Sequence, residues 1–181
     1  MTGRLKKTVV LVGMMGAGKT AIGGALAQKL GVEFLDSDDE IRLAANMRIA
    51  EIFERDGEDF FRQRESEVLA RLLEERPCIL STGGGAFLAK KNRELISQKG
   101  ASVWLKADLE LLWARVRHKD TRPLLRTANP KATLSKLFQE RRSSYEQADL
   151  CVLANSTYSI DDMATRVAEA LRTRPDILEN T

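Results

Sequence analysis

Along the chain, short apolar runs rich in β-branched residues alternate with stretches whose apolar positions recur every three or four residues. The runs at 8–12, 33–36, 78–81, 102–105 and 150–154 read as five strands, and helical patterns begin near Gly18, Asp38, Gly57, Leu88, Asp108, Lys131 and Ser159. Strands separated by helices rather than by hairpin turns predict a parallel sheet covered on both faces. Ligands then bind beyond the carboxyl ends of the strands. Gly13, Asp36 and Thr82 each stand at such an end, so three loops are expected to converge on one edge. No repeat, linker or low-complexity tract divides the 181 residues. They fit one compact domain, with ends at 1–7 and 174–181 that read as fraying tails.

The first strand breaks at Gly13 and runs on as G-x-x-x-x-G-K-T before a helical pattern at Ile22, Leu26 and Leu30. That is a phosphate-cradling P-loop in its required context, strand before and helix after. Backbone N–H groups of Gly13, Met15, Gly16, Ala17 and Gly18 are expected to turn onto phosphate oxygens, helped by the helix N-terminus. Lys19 would reach the β- and γ-phosphates of ATP, and the Thr20 hydroxyl would ligate Mg²⁺. A glycine turn that binds nothing is the plain alternative.

Composition narrows the partners. With 29 basic and 26 acidic residues and a net charge of +3, the surface is mixed, which argues against duplex nucleic acid or a membrane as the main partner. Small molecules are the expected ligands, and the chain is expected to act as a monomer. Arg4, Lys6 and Lys7 ahead of 9–15 mimic a secretion signal, but the apolar run is short and cleavage after it would destroy the P-loop. No segment approaches the roughly 18 apolar residues of a membrane span. Cys78 and Cys151 lie in apolar runs and read as small core residues, with neither a disulfide nor zinc expected. A cytoplasmic protein is the expectation.

Three further stretches carry candidate chemistry. The second strand ends in Leu35-Asp36-Ser37-Asp38-Asp39, where alternation turns Asp36 and Asp38 to one side, beside the P-loop. Phosphoryl transfer needs one carboxylate that holds Mg²⁺ and one that orients or deprotonates the acceptor hydroxyl. Asp36 suits the first role and Asp38 the second, whereas Asp39 and Glu40 read as helix-capping acids. Ser81-Thr82-Gly83-Gly84-Gly85-Ala86 follows the third strand and either exposes backbone amides for close approach of a ligand or forms a flexible turn. Arg141 falls on the apolar face made by Leu134, Leu137, Phe138 and Tyr145, and Arg62 follows Phe61 on another helix. Inward arginines imply anionic partners. The two could grip a carboxylate ligand, or be satisfied internally, Arg62 by Glu65 at i+3. Finally, Arg115, Arg117, His118, Lys119, Arg122 and Arg126 crowd a segment broken by Pro123. It reads either as a flap over ATP that delivers Arg122 to the phosphates or as a solvated basic loop, and His118 as an incidental surface residue.

These residues in this order resemble the shikimate kinase family. The likeness covers G-M-M-G-A-G-K-T, L-D-S-D, the I-F-x-x-x-G-E-x-x-F-R-x-x-E run at 52–65, S-T-G-G-G-A, T-R-P-L-L, and R-x-x-x-Y at 141–145. It implies a P-loop kinase of the nucleoside-monophosphate-kinase type, with a five-stranded parallel sheet and a mobile lid at about 116–130. The implied reaction moves the ATP γ-phosphoryl group to the 3-hydroxyl of shikimate, with Mg²⁺, on the route to aromatic amino acids. Residue by residue, the resemblance implies that Asp38, Arg62, Gly84, Gly85 and Arg141 bind shikimate. It gives Lys19, Thr20 and Arg122 to ATP and Mg²⁺, sets Asp36 on the metal through water, and lays Arg115 against adenine. Asn46 and Arg48 stand where the family usually has glycine and serine, and Ser159 where it often has an adenine-packing proline. A kinase of another polyol acid, such as gluconate, would share the P-loop without needing Asp38, Arg62 and Arg141 together, and a nucleotide-binding regulator would not need them at all.

Overall fold

The structure, a computed structural model, describes residues 3–118 and 125–180. Five parallel strands form the main sheet: β2 (Thr8–Val12), β3 (Phe34–Asp36), β4 (Ile79–Ser81), β5 (Gly100–Lys106) and β6 (Leu150–Leu153). Their order is β3-β4-β2-β5-β6. The central strand β2 is buried at every residue, which is why its sequence is continuously apolar instead of alternating. Asp36 pairs in register with Ser81, and Ser81 with Leu11, so β3, β4 and β2 end level with one another. The three loops that follow therefore open on one edge, as the strand pattern predicts.

Helices clothe this sheet. Helix α1 (Lys19–Leu30) packs against α8 (Ile160–Arg172), whose buried stripe is Met163, Ala164, Val167, Ala168 and Leu171. Ser159 starts α8 with a capping box, its hydroxyl accepting from Asp162 N while the Asp162 carboxylate accepts from Ser159 N. Helix α4 (Glu58–Glu74) buries Phe61, Glu65, Val68, Leu69, Leu72 and Leu73, so one carboxylate stands inside its apolar stripe. Helices α5 (Lys90–Lys99), α6 (Leu109–Val116) and α7 (Pro130–Tyr145) complete the cover.

Between β3 and α4 the chain makes two helices where the sequence suggests one: α2 (Ser37–Ala45) and α3 (Ile49–Asp56). The break is at Asn46, which closes α2 in the left-handed region at φ 51°. Glycine is the easiest residue to place there and asparagine the most tolerant substitute, so the departure from the family's glycine keeps the conformation. Arg48, in place of serine, begins α3 without a side-chain cap and pairs instead with Glu51. The helix expected near Leu88 is α5, preceded by a single 3-10 turn, Ala86–Leu88.

Two expectations need correction. The ends at 1–7 and 174–181, read as tails, pair with each other: β1 (Arg4–Leu5) runs antiparallel to β7 (Leu178–Glu179), and Lys6 N donates to Ile177 O at 2.8 Å. Ile177 and Leu178 are fully buried. Two-residue strands have no period to detect, and the apolar pair behind Pro175 is too short to read as an element. Cys78 is buried as expected, but Cys151 is exposed, because β6 is an edge strand with one unpartnered side. No helix of the described residues is long and apolar enough to cross a membrane.

Candidate active site

The P-loop supplies the nucleotide side. Gly16 at φ 85° and Gly18 at φ 92° hold conformations that side chains resist, and a Cβ on Gly16 would lie 2.7 Å from Val116. Gly18 opens α1 in the left-handed region, which leaves the first N–H groups of the helix facing out of the strand end. Lys19 Nζ folds back onto the carbonyls of Gly13 (2.6 Å) and Met14 (3.2 Å), a half-buried ammonium held at the mouth of the loop. Thr20, one position on, is exposed in the first turn of α1. Arg115 reaches from α6 to donate to Gly16 O at 3.0 Å, so its guanidinium lies against the same loop.

The two carboxylates sit beside this loop for a different reason than strand alternation. Asp36 is the last residue of β3 and the N-cap of α2, accepting from Asp38 N at 2.8 Å and Asp39 N at 3.4 Å through Oδ1. Asp38 belongs to the first turn of α2. Capping, rather than pleating, sets the geometry between them. The side-chain cap is Asp36, while Asp39 and Glu40 stand in the first turn of α2, where acidic residues suit the helix dipole, and pair with Arg42 and Arg71. Burial raises the Asp38 carboxyl above its ordinary range, and the Asp36 charge pushes the same way. Arg42, Lys19 and Arg62 pull it back without cancelling the rise.

Residues 83–85 turn out to be glycine for want of space, since none has a positive φ. A Cβ on Gly83 would lie 3.1 Å from Asp38 Oδ1, one on Gly84 would lie 2.5 Å from Arg141 Nη1, and one on Gly85 would collide with the Arg62 guanidinium. Each glycine faces a different charged residue, and the triplet brings Asp38, Arg141 and Arg62 around one short loop. Gly83, which the sequence reading leaves out of the site, belongs to it as the neighbour of Asp38. Its signal was its place in the triplet.

The two arginines are held differently. Arg62 Nη1 donates to Glu65 Oε1 at 2.9 Å, with Glu58 at 3.7 Å and the Phe61 ring beneath it at 5.3 Å. Glu65 is only 2% exposed, and burial raises its carboxyl while Arg62 opposes the rise. Both readings of Glu65 are thus met: it pairs with the arginine and fixes its direction, leaving the other guanidinium edge toward Gly85. Arg141 is 9% exposed, and among the described residues its side-chain partner is the Tyr145 hydroxyl, with no carboxylate paired to it. Its neighbour is Tyr145, whose buried hydroxyl donates to Gly84 O at 2.8 Å and whose ring lies 6.0 Å from that of Trp104. A buried guanidinium without a carboxylate partner is costly unless a ligand supplies the charge.

Of the basic segment, Val116 and Leu125 are buried and His118 is exposed. Arg122, and with it residues 119–124 of the lid expected at 116–130, lie outside the described residues. Among the described residues no cluster of three metal-ligating side chains occurs. Mg²⁺ is commonly held by one or two carboxylates plus substrate phosphates and water, so Thr20 and the free Oδ2 of Asp36 suit it without such a cage.

Comparison with known proteins points to one family. A sequence model of the shikimate kinase family matches residues 15–172. The shikimate kinase of Ruegeria pomeroyi is 69% identical over 97% of this chain and 90% of its own length. That of Cereibacter sphaeroides is 65% identical over 97% and 88%. Among solved structures, shikimate kinase from Acinetobacter baumannii in complex with shikimate matches with a TM-score of 0.84 at 39% identity, covering 92% of this chain and 93% of that one. A gluconokinase from Sinorhizobium meliloti, at 17% identity and a TM-score of 0.61, shares the fold alone.

Proposed function

The chain belongs to the shikimate kinase family, and we propose that Asp38, Lys19 and the two arginines beside the glycine triplet divide the work of its reaction. It is a P-loop kinase of the nucleoside-monophosphate-kinase type. It transfers the γ-phosphoryl group of ATP to the 3-hydroxyl of shikimate, giving shikimate 3-phosphate and ADP, a step of aromatic amino-acid biosynthesis.

In our assignment the shikimate carboxylate lies between Arg62 and Arg141, which satisfies the buried Arg141 guanidinium. That buried cation, with no carboxylate partner among the described residues and set against Gly84, is the observation on which the acceptor site rests. Gly84 and Gly85 line the ligand closely because they have no side chain to interpose. The 3-hydroxyl then donates to Asp38, whose carboxylate orients it and takes its proton as the oxygen attacks the γ-phosphorus. The bond from the γ-phosphorus to the β,γ-bridging oxygen breaks, and ADP leaves with the electron pair. Lys19 stabilises the charge that spreads over the transferring oxygens, and the P-loop amides of Gly13, Met15, Gly16, Ala17 and Gly18 hold the phosphates. Mg²⁺, held by Thr20 and through water by Asp36, would neutralise phosphate charge. Arg115 is assigned to adenine on the family resemblance, and Arg122 to the phosphates on the basic character of its segment together with that resemblance. We read the chain as a monomer, and an ATP-dependent biosynthetic step suits the cytoplasm.

Two substitutions test the acceptor assignment. Arg62→Ala and Arg141→Ala are expected to raise the shikimate KM by about tenfold or more, as a charge-assisted hydrogen bond contributes roughly 1.5–3 kcal/mol. The ATP KM should stay within about twofold, because neither residue belongs to the P-loop. Steady-state kinetics with each substrate varied in turn give both values. Equal rises in the two constants would place the arginines elsewhere.

A further inference from the structure

The loop that carries the glycine triplet has its carbonyls tied down from behind. Tyr145 Oη donates to Gly84 O at 2.8 Å, and Asn92 Nδ2 donates to Ala86 O at 2.9 Å. Arg93 Nη1 donates to both Phe87 O (2.9 Å) and Leu88 O (2.8 Å). Four carbonyls in a stretch of five residues thus accept from side chains of two helices, α5 and α7, and none of these four bonds is part of a helix or strand ladder. Asn92 is buried and Arg93 half-buried, both on the first turn of α5. A loop without side chains of its own at 83–85 has unusual conformational freedom, and ordering glycine costs more entropy than ordering any other residue. External donors are a direct way to hold it in one shape.

We propose that Asn92, Arg93 and Tyr145 are positioning residues for shikimate. They fix the path of residues 84–88, so that Gly84 and Gly85 stay aligned with the guanidinium groups of Arg141 and Arg62 that face them. The inference rests on the acceptor site assigned above. None of the three need touch the ligand: Asn92 and Arg93 meet the loop on its carbonyl side, and Tyr145 joins it to the helix that carries Arg141. Asn92 and Arg93 are not among the residues assigned to ATP, so their effect should fall on one substrate only.

The test is a kinetic split on the full-length enzyme. Arg93→Ala, which removes two of the four bonds from a half-exposed position, is expected to raise the shikimate KM by about five- to tenfold, with kcat and the ATP KM within about twofold. Asn92→Ala should move the same constant in the same direction. Arg93→Lys, whose ammonium can donate to one of the two carbonyls, should restore part of the loss. Assays run well below each variant's melting temperature exclude a simple loss of folded protein. If Asn92→Ala does not fold, the Arg93 pair decides the matter alone. A shikimate KM unchanged in Arg93→Ala, or a rise matched by the ATP KM, or no recovery in Arg93→Lys, would overturn the proposal. Because the parent enzyme's own shikimate-dependent turnover is measured beside the variants, failure of the clamp is distinct from failure of the assigned reaction.

Discussion

Replacing Asp38 with asparagine is expected to lower kcat by about 10²–10⁴, the usual worth of a positioned acid–base group. Asparagine keeps the size and one acceptor oxygen but loses the charge and basicity. ATP affinity should change little, since Lys19, Thr20 and Asp36 remain. The same residue sets a pH dependence. Asp38 must be ionised to accept a proton, and its carboxyl titrates above the ordinary range because it is buried beside Asp36. Activity should therefore fall on the acid side at a higher pH than an exposed aspartate would give. The stability sign is opposite. A carboxyl whose pKa is raised by folding is least at ease when charged, so its cost is present above the folded pKa and gone below the unfolded one. Asp38→Asn should thus melt at a higher temperature than the parent at neutral pH, with the gain vanishing in acid. A variant that loses ATP binding yet keeps full turnover at saturating nucleotide would make Asp38 a metal or folding residue.

Lys19→Ala should reduce turnover at least about 10²-fold, because the ammonium stabilises charge that develops on the transferring phosphoryl group. The side chain also bridges the carbonyls of Gly13 and Met14, so part of the loss will be in loop order. Separating the two needs the nucleotide affinity as well as the rate. If the lysine acts on the transition state, kcat falls further than ATP binding weakens. Turnover within a few-fold of the parent would remove Lys19 from the chemistry. The fold should survive, as Lys19 sits at the loop mouth and outside the apolar core.

What the sequence made legible follows from how local each signal is. The P-loop could be read because its glycines, its lysine and its flanking strand and helix are contiguous. The parallel sheet was legible for the same reason: fully buried strands are written as unbroken apolar runs. Asp36 and Asp38 were found, but by the wrong geometry. A capping aspartate and a residue two places into its helix look the same in sequence as two positions on one strand face. The break at Asn46 was legible only through the family resemblance, because a left-handed asparagine interrupts a helix without glycine or proline to announce it. Arg62 and Arg141 stood out as charges within apolar patterns, yet only the fold shows that a separate glycine faces each of them. The donors to the carbonyls of residues 84–88 are side chains, Asn92 and Arg93 a few residues on and Tyr145 on a distant helix, and no periodicity encodes such contacts. The pairing of the two chain ends was equally invisible, since it depends on two residues meeting two others at the opposite terminus.

The account stands on acceptor-dependent phosphoryl transfer, and ADP release measured with ATP and Mg²⁺ against a panel of hydroxy acids tests it most directly. Shikimate should support rapid release, and phosphorus NMR of the product should place a single new phosphate on the 3-hydroxyl. Gluconate, which lacks the ring that would set its carboxylate and hydroxyl at the spacing between the arginines and Asp38, should give only the background rate. Equal rates with gluconate and shikimate, or ADP release that needs no acceptor, would contradict the assignment of this site.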